Sequence, residues 1–111
     1  MEVMESAINK IILSGYAATN AEIKLLAGNQ KLVKINLGVN EYYKNKSGEE
    51  IKKTQWINLV FWNSLADEAE RGIKKGSKIT VEGKLNTNNY ITKEGAKRFS
   101  TEILVSELKV I

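Results

Sequence analysis

Apolar and polar residues alternate through the middle of this chain with a period of two. Val33, Ile35, Leu37 and Val39 fall on alternate positions of the stretch from Leu32 to Tyr43, the pattern of a strand with one buried face. A polar segment follows, Lys44-Asn45-Lys46-Ser47-Gly48-Glu49-Glu50, and its Ser-Gly pair is a turn signal. Ile51 to Trp62 then reads as a second long strand, so the two form a hairpin. Before them, Ile8 to Leu13 is a β-branched run closed by Ser14-Gly15. After them, Asn63-Ser64 breaks the period. Ser64 is suited to cap a helix, with Asp67 three residues on, and Leu65, Ala69 and Ile73 lie on one helical face. Lys74 and Lys75 suit the negative end of that helix, and Gly76 its C′ position. Lys78 to Leu85 predicts a fourth strand, Asn86 to Lys97 a polar loop, and Arg98 to about Val105 a fifth strand that Leu108, Val110 and Ile111 extend.

Three strands, one short helix and two strands is the order of a five-stranded OB-fold barrel, an all-β class with the helix between strands three and four. The length of 111 residues fits one domain spanning 1–111. Such a barrel offers a curved face built largely from its second and third strands.

Composition removes most chemistry. The chain has no Cys and no His, so a thiolate nucleophile, a nucleophile–His pair and the commonest metal sites are all excluded. Asp67 is the only aspartate. An enzyme is not expected, and neither a cofactor nor a small-molecule substrate is implied. No apolar run reaches the ~18 residues of a membrane helix. The acidic Met1–Glu5 start resembles no signal or transit peptide, so a cytoplasmic location is expected. The net charge of +4 is compatible with a nucleic-acid partner without requiring one.

The pleat of the third strand sharpens the picture. Gln55, Ile57, Leu59 and Phe61 share one face, and Trp56, Asn58, Val60 and Trp62 the other. Leu59 and Phe61 belong to the core, which turns both tryptophans outward. Six residues of extended strand separate them by about 20 Å. Exposed indoles at this spacing suit a platform on which successive bases stack, or an interface between subunits. One of Tyr42 and Tyr43 must also point outward, and Tyr90 lies in the predicted polar loop. Lys44, Lys46, Lys52 and Lys53 are interleaved with the hairpin aromatics, and Lys93, Lys97 and Arg98 form a second basic cluster. Aromatics coinciding with cations in this way fit a groove that tracks a single strand.

From about Ile8 to Val105 the sequence resembles the bacterial-type single-stranded DNA-binding proteins. The segments that carry the resemblance are Asn9 to Gly15, Thr54-Gln55-Trp56, Leu65 to Ala69, Phe99 to Ile103 and, most specifically, Lys74 to Leu85. The resemblance implies sequence-independent binding of single-stranded DNA in replication, recombination and repair. It places the four base-stacking aromatics on Tyr43, Trp56, Trp62 and Tyr90. Lys44, Lys52, Lys75, Lys84 and Arg98 are the expected phosphate contacts. It also implies a homotetramer, a dimer of dimers.

Three departures stand out. The family's His-Arg after the first Trp is Ile57-Asn58 here. That His lies near subunit contacts in the family, so Ile57 is expected to add apolar area to an interface. The family's Arg-Thr-Arg before the last aromatic is Asn86-Thr87-Asn88, which implies fewer phosphate contacts. Typical members continue into a tail with an acidic tip, and a sequence ending at Ile111 is expected either of a trimmed form or of a tailless member from a phage or mobile element. Against this reading stands an OB-fold scaffold, such as a primosomal protein, in which the Trp face is an interface.

Overall fold

The computed structural model describes residues 8–111; the reading of Met1–Glu5 lies outside the described residues. The elements run β1 (Ile11–Ala17), β2 (Glu22–Leu26), β3 (Gln30–Lys44), β4 (Glu50–Trp62), α1 (Ser64–Gly72), β5 (Lys78–Ile91) and β6 (Lys97–Val110). The sheet order is β1-β5-β6-β4-β3-β2, and a further β1–β3 pairing closes five of these strands into a barrel. The β4–β6 contact is parallel and the other pairings antiparallel. The OB order of five barrel strands with α1 between the third and fourth therefore holds, and β2 is an addition to it.

The alternation of β3 and β4 builds the core. Val33, Ile35 and Leu37 from β3 meet Leu59 and Phe61 from β4, with Ile79, Val81, Ile103 and Val105 from the other side of the barrel. Ala66, Ala69 and Ile73 close one end. Ile57 packs against this core from the same pleat face as Leu59 and is only partly buried there, so part of its apolar surface stays accessible.

Strand ends differ from the sequence reading in ways that have causes. Ser14-Gly15 does not close β1, which runs on to Ala17. At Gly15 the strand crosses so close to the carbonyl of Gly38 that any side chain would collide with it; the glycine permits closure of the barrel instead of ending the strand. Strand β2 went unread although Glu22-Ile23-Lys24-Leu25 alternates. It turns into β3 through Gly28 and Asn29 at φ +76° and +61°, as a tight hairpin requires. The predicted loop from Asn86 to Lys97 is mostly strand: β5 and β6 stay paired from Leu85↔Ile103 out to Ile91↔Lys97. Only the turn between Thr92 and Ala96 remains, held by the bond from the Thr92 N–H to the Ala96 carbonyl at 2.9 Å.

The helix begins at Ser64 itself, so Ser64 is not its cap. Asn63, at φ +53°, takes that place without a side-chain capping bond. Its Oδ1 instead accepts from the Lys31 N–H at 3.1 Å. Gly76 is not at C′ either, because the backbone is already extended at Ile73. Gly76 serves the turn in which the Ser77 N–H reaches the Lys74 carbonyl. Lys31 joins the start of β3 to α1, with its ammonium on Asp67 at 2.8 Å and on Glu70. The hydrogen bond from Lys31 holds the Asp67 carboxyl below its ordinary range, and the same partners raise Lys31. Among the described residues no helix is long and apolar enough to cross a membrane.

Candidate nucleic-acid interface

Register decides which side chains share the outer face of the barrel. In an antiparallel pair, opposed residues point the same way. β3 and β4 pair Leu32↔Trp62, Lys34↔Val60, Asn36↔Asn58, Gly38↔Trp56, Asn40↔Thr54 and Tyr42↔Lys52. All of these side chains lie on the face opposite the core. Trp56 is 59% exposed and Trp62 39%. Leu32 and Val60 on this face are buried, so the stripe is apolar near Trp62 and becomes polar toward Asn58.

The neighbouring strands widen this face. Val60 pairs with Leu104, and Leu104 with Lys84; on the other side Lys34 pairs with Glu22. One row thus crosses five strands from β5 to β2. Further out on the β5–β6 arm, the register sets Tyr90 opposite Arg98 and Asn88 opposite Ser100. These positions alternate in step with Lys84, and so continue the same face. Tyr90 is exposed there, on a strand rather than in a loop.

The expected site residues therefore separate. Trp56, Trp62, Tyr90, Lys52, Lys84 and Arg98 share one face, and Lys44 continues it at the hairpin end opposite Glu50. Tyr43 does not join them. It pairs with Ile51, on the opposite pleat, and Tyr42 takes the position on the Trp56 side. Both tyrosines are exposed because this part of the hairpin extends beyond the core. Lys75 stands apart from the strands, in the turn after α1, where its N–H donates to Asn20 Oδ1 at 3.1 Å. Lys34 is not among the residues expected from the sequence, and Tyr42 is there only one of two candidates for the outward position. The pleat alone assigns Lys34 to this face, whereas choosing between Tyr42 and Tyr43 requires the register.

Between the two tryptophans lies a cleft of about 340 Å³, lined by Thr19, Lys34, Asn36, Asn58, Ser100 and Glu102 among others. Side-chain bonds tie together some of the polar groups in and beside it. Asn36 Nδ2 donates to Asn58 Oδ1 at 3.0 Å, and Asn88 Nδ2 to Glu102 Oε1 at 2.8 Å. The centre of the face thus carries amides, carboxylates and Lys34, with the other cations toward its margins. This geometry suits π stacking at separated points with phosphates held at the edges. No group of three or more His, Cys, Asp or Glu among the described residues could hold a metal.

Comparison with known proteins agrees with the fold. The family model described as "Single-strand binding protein family" matches residues 8–111. Single-stranded DNA-binding protein 1 of Chlorobaculum tepidum is 31% identical over 109 residues, covering 97% of this chain and 67% of the relative. Its namesake in Xylella fastidiosa is 33% identical over 107 residues, covering 96% of this chain and 79% of that one. A solved structure titled as a complex of Plasmodium falciparum SSB with ssDNA superposes with a TM-score of 0.89 at 28% identity, covering 98% of this chain and 99% of the other. With a family match from Ile8 to the last residue, on a barrel whose outer strands carry two exposed tryptophans, this chain belongs to the single-strand binding protein family.

Proposed function

We propose that this protein binds single-stranded DNA without sequence preference, protecting it during replication, recombination and repair, and performs no covalent chemistry on it. One observation carries the reading: the β3–β4 register sets Trp56 and Trp62 on one open face, in step with Tyr42. Tyr90 extends that platform on the β5–β6 arm. Lys34, Lys44, Lys52, Lys84 and Arg98 surround it as phosphate contacts, and Lys75 contributes from the turn behind Asn20. The chain acts as one binding domain across 1–111 in the cytoplasm. The family relation and the names of the relatives support the choice of DNA.

Titration with oligo(dT), followed by tryptophan fluorescence, tests this reading. Stacked indoles are quenched strongly; indoles buried in a scaffold interface stay unchanged, and that result would remove the proposal. The same titration in sodium chloride should give a log–log slope of about −0.7 per phosphate neutralised. Asn58, Asn86 and Asn88 stand where the family has arginines, so the slope should be shallower than that of a relative carrying those arginines.

The protein assembles as a homotetramer, a dimer of dimers. β1 supports the first interface: it pairs with β5 from Ile11 to Tyr16, but with β3 only at Tyr16 and Ala17. Its edge from Ile11 to Gly15 is unpaired among the described residues, and Ile12 is exposed beside it. Edge-to-edge pairing with a second copy would satisfy these backbone groups. Light scattering should give about four times the chain mass of 12.4 kDa. A monomer mass would overturn the assembly, and a dimer mass would leave β1 pairing alone.

A further inference from the structure

We propose that Tyr16 is a positioning residue for Trp56, and that Gly38 is the gap that lets it act; this rests on the stacking reading above. The three residues form one row across the sheet. Tyr16 pairs with Gly38 and Gly38 with Trp56, so β1, β3 and β4 present them on the same outer face. The rings of Tyr16 and Trp56 meet edge to face, with centroids 6.3 Å apart and planes at 87°. That distance and angle lie in the favourable range for aromatic pairs. The tyrosine reaches across the strand between them because that strand has no side chain at this point. A Cβ on Gly38 would sit 2.7 Å from Tyr16 Cζ and 3.0 Å from its Oη.

Tyr16 is itself well anchored. It lies at the barrel closure, where β1 is paired on both sides, with Lys78 of β5 and Gly38 of β3. The following residue, Ala17, is buried in the core. Trp56 sits on an open face and would otherwise be free to change rotamer. A fixed ring against one side of the indole limits that freedom while the rest stays exposed. Less motion is then lost when a base stacks, which favours binding. Trp62 has no such aromatic partner among the described residues. The two indoles therefore differ: one is held ready and the other is not.

The test uses the Trp62→Phe protein, in which Trp56 is the sole indole. Time-resolved fluorescence anisotropy of the free protein should gain a fast component in Tyr16→Ala and none in Tyr16→Phe, which keeps the ring. Affinity for oligo(dT) should fall about three- to tenfold in Tyr16→Ala, in line with the worth of one aromatic pair. In a Trp56→Ala background the same change should cost nothing further. Gly38→Ala keeps both aromatics but fills the gap, so it should disturb the Trp56 signal. Adding Tyr16→Ala should abolish that effect of Gly38→Ala, because the space is vacated. Unchanged anisotropy in Tyr16→Ala, or an equal affinity loss without Trp56, would overturn the proposal. If Trp56→Ala binds like wild type while Tyr16→Ala still frees the indole, the stacking reading falls and the positioning role stands.

Discussion

Trp56→Ala and Trp62→Ala should each weaken binding of single-stranded DNA by about 1–3 kcal/mol, the range for one base stacked on one aromatic ring. The losses should be alike on oligo(dT) and on mixed sequence, because a π face does not read base edges. They should also add in the double variant. The two positions lie six residues apart on β4, about 20 Å of strand, and sites that distant are independent. The tyrosines of the hairpin arm sharpen the test. Tyr42 shares the pleat of Trp56, and Tyr43 the reverse one, so Tyr42→Ala should cost more than Tyr43→Ala. The reverse order would move the path of the strand to the other side of the arm. Wild-type affinity in both Trp variants would remove the platform altogether.

Phe61→Ala should destabilise the fold by about 3–5 kcal/mol, the cost of a cavity left by a buried aromatic. Phe61 is fully buried, and it is the largest side chain in the core to be so. Its neighbours across the barrel belong to strands tied together by closure, which limits how far they can collapse into the space. Marginal domains hold only about 5–15 kcal/mol in all, so the variant should show a much lower denaturant midpoint. Any fraction that remains folded should still bind oligo(dT), since Phe61 is on the core pleat and the platform on the other. A midpoint unchanged from wild type would mean that the barrel repacks freely, contrary to the closed sheet.

The contrast between Phe61 and Trp62 shows how much of the site is local. Neighbouring residues on a strand must point to opposite faces, so the position of one apolar cluster assigns the other. The same rule orients Trp56 against Ile57, and no knowledge of partners is needed. It weakens where the apolar cluster ends. At Tyr42 and Tyr43 neither neighbour is in the core, so the sequence offers no anchor for the alternation, and the hairpin register has to supply it.

Asn86 to Ile91 illustrates a different limit. Asparagine is disfavoured in strands, and a run containing three of them reads as loop. The arm exists because β6 lies alongside with matched length, and cross-strand pairs outweigh local preference. Asn88 even finds its partner there, on Glu102. β2 differs: Glu22-Ile23-Lys24-Leu25 does alternate, but over only four residues, all of them exposed in the fold, and pairing with β3 is what holds it as a strand.

What the amino-acid sequence determined by itself was the alternation of β3 and β4, the helix after them, the outward direction of both tryptophans and the lack of any cysteine or histidine with which to build the commonest catalytic sites. These follow from the two-residue period and from residue types, which are local properties. Tertiary structure alone decided that Tyr16 reaches Trp56 across Gly38, that Tyr42 rather than Tyr43 shares their face, and that Tyr90 stands on a strand opposite Arg98. Each of these joins residues distant in the chain or depends on hairpin register. Register is set by how the whole barrel closes, and no single segment carries that information.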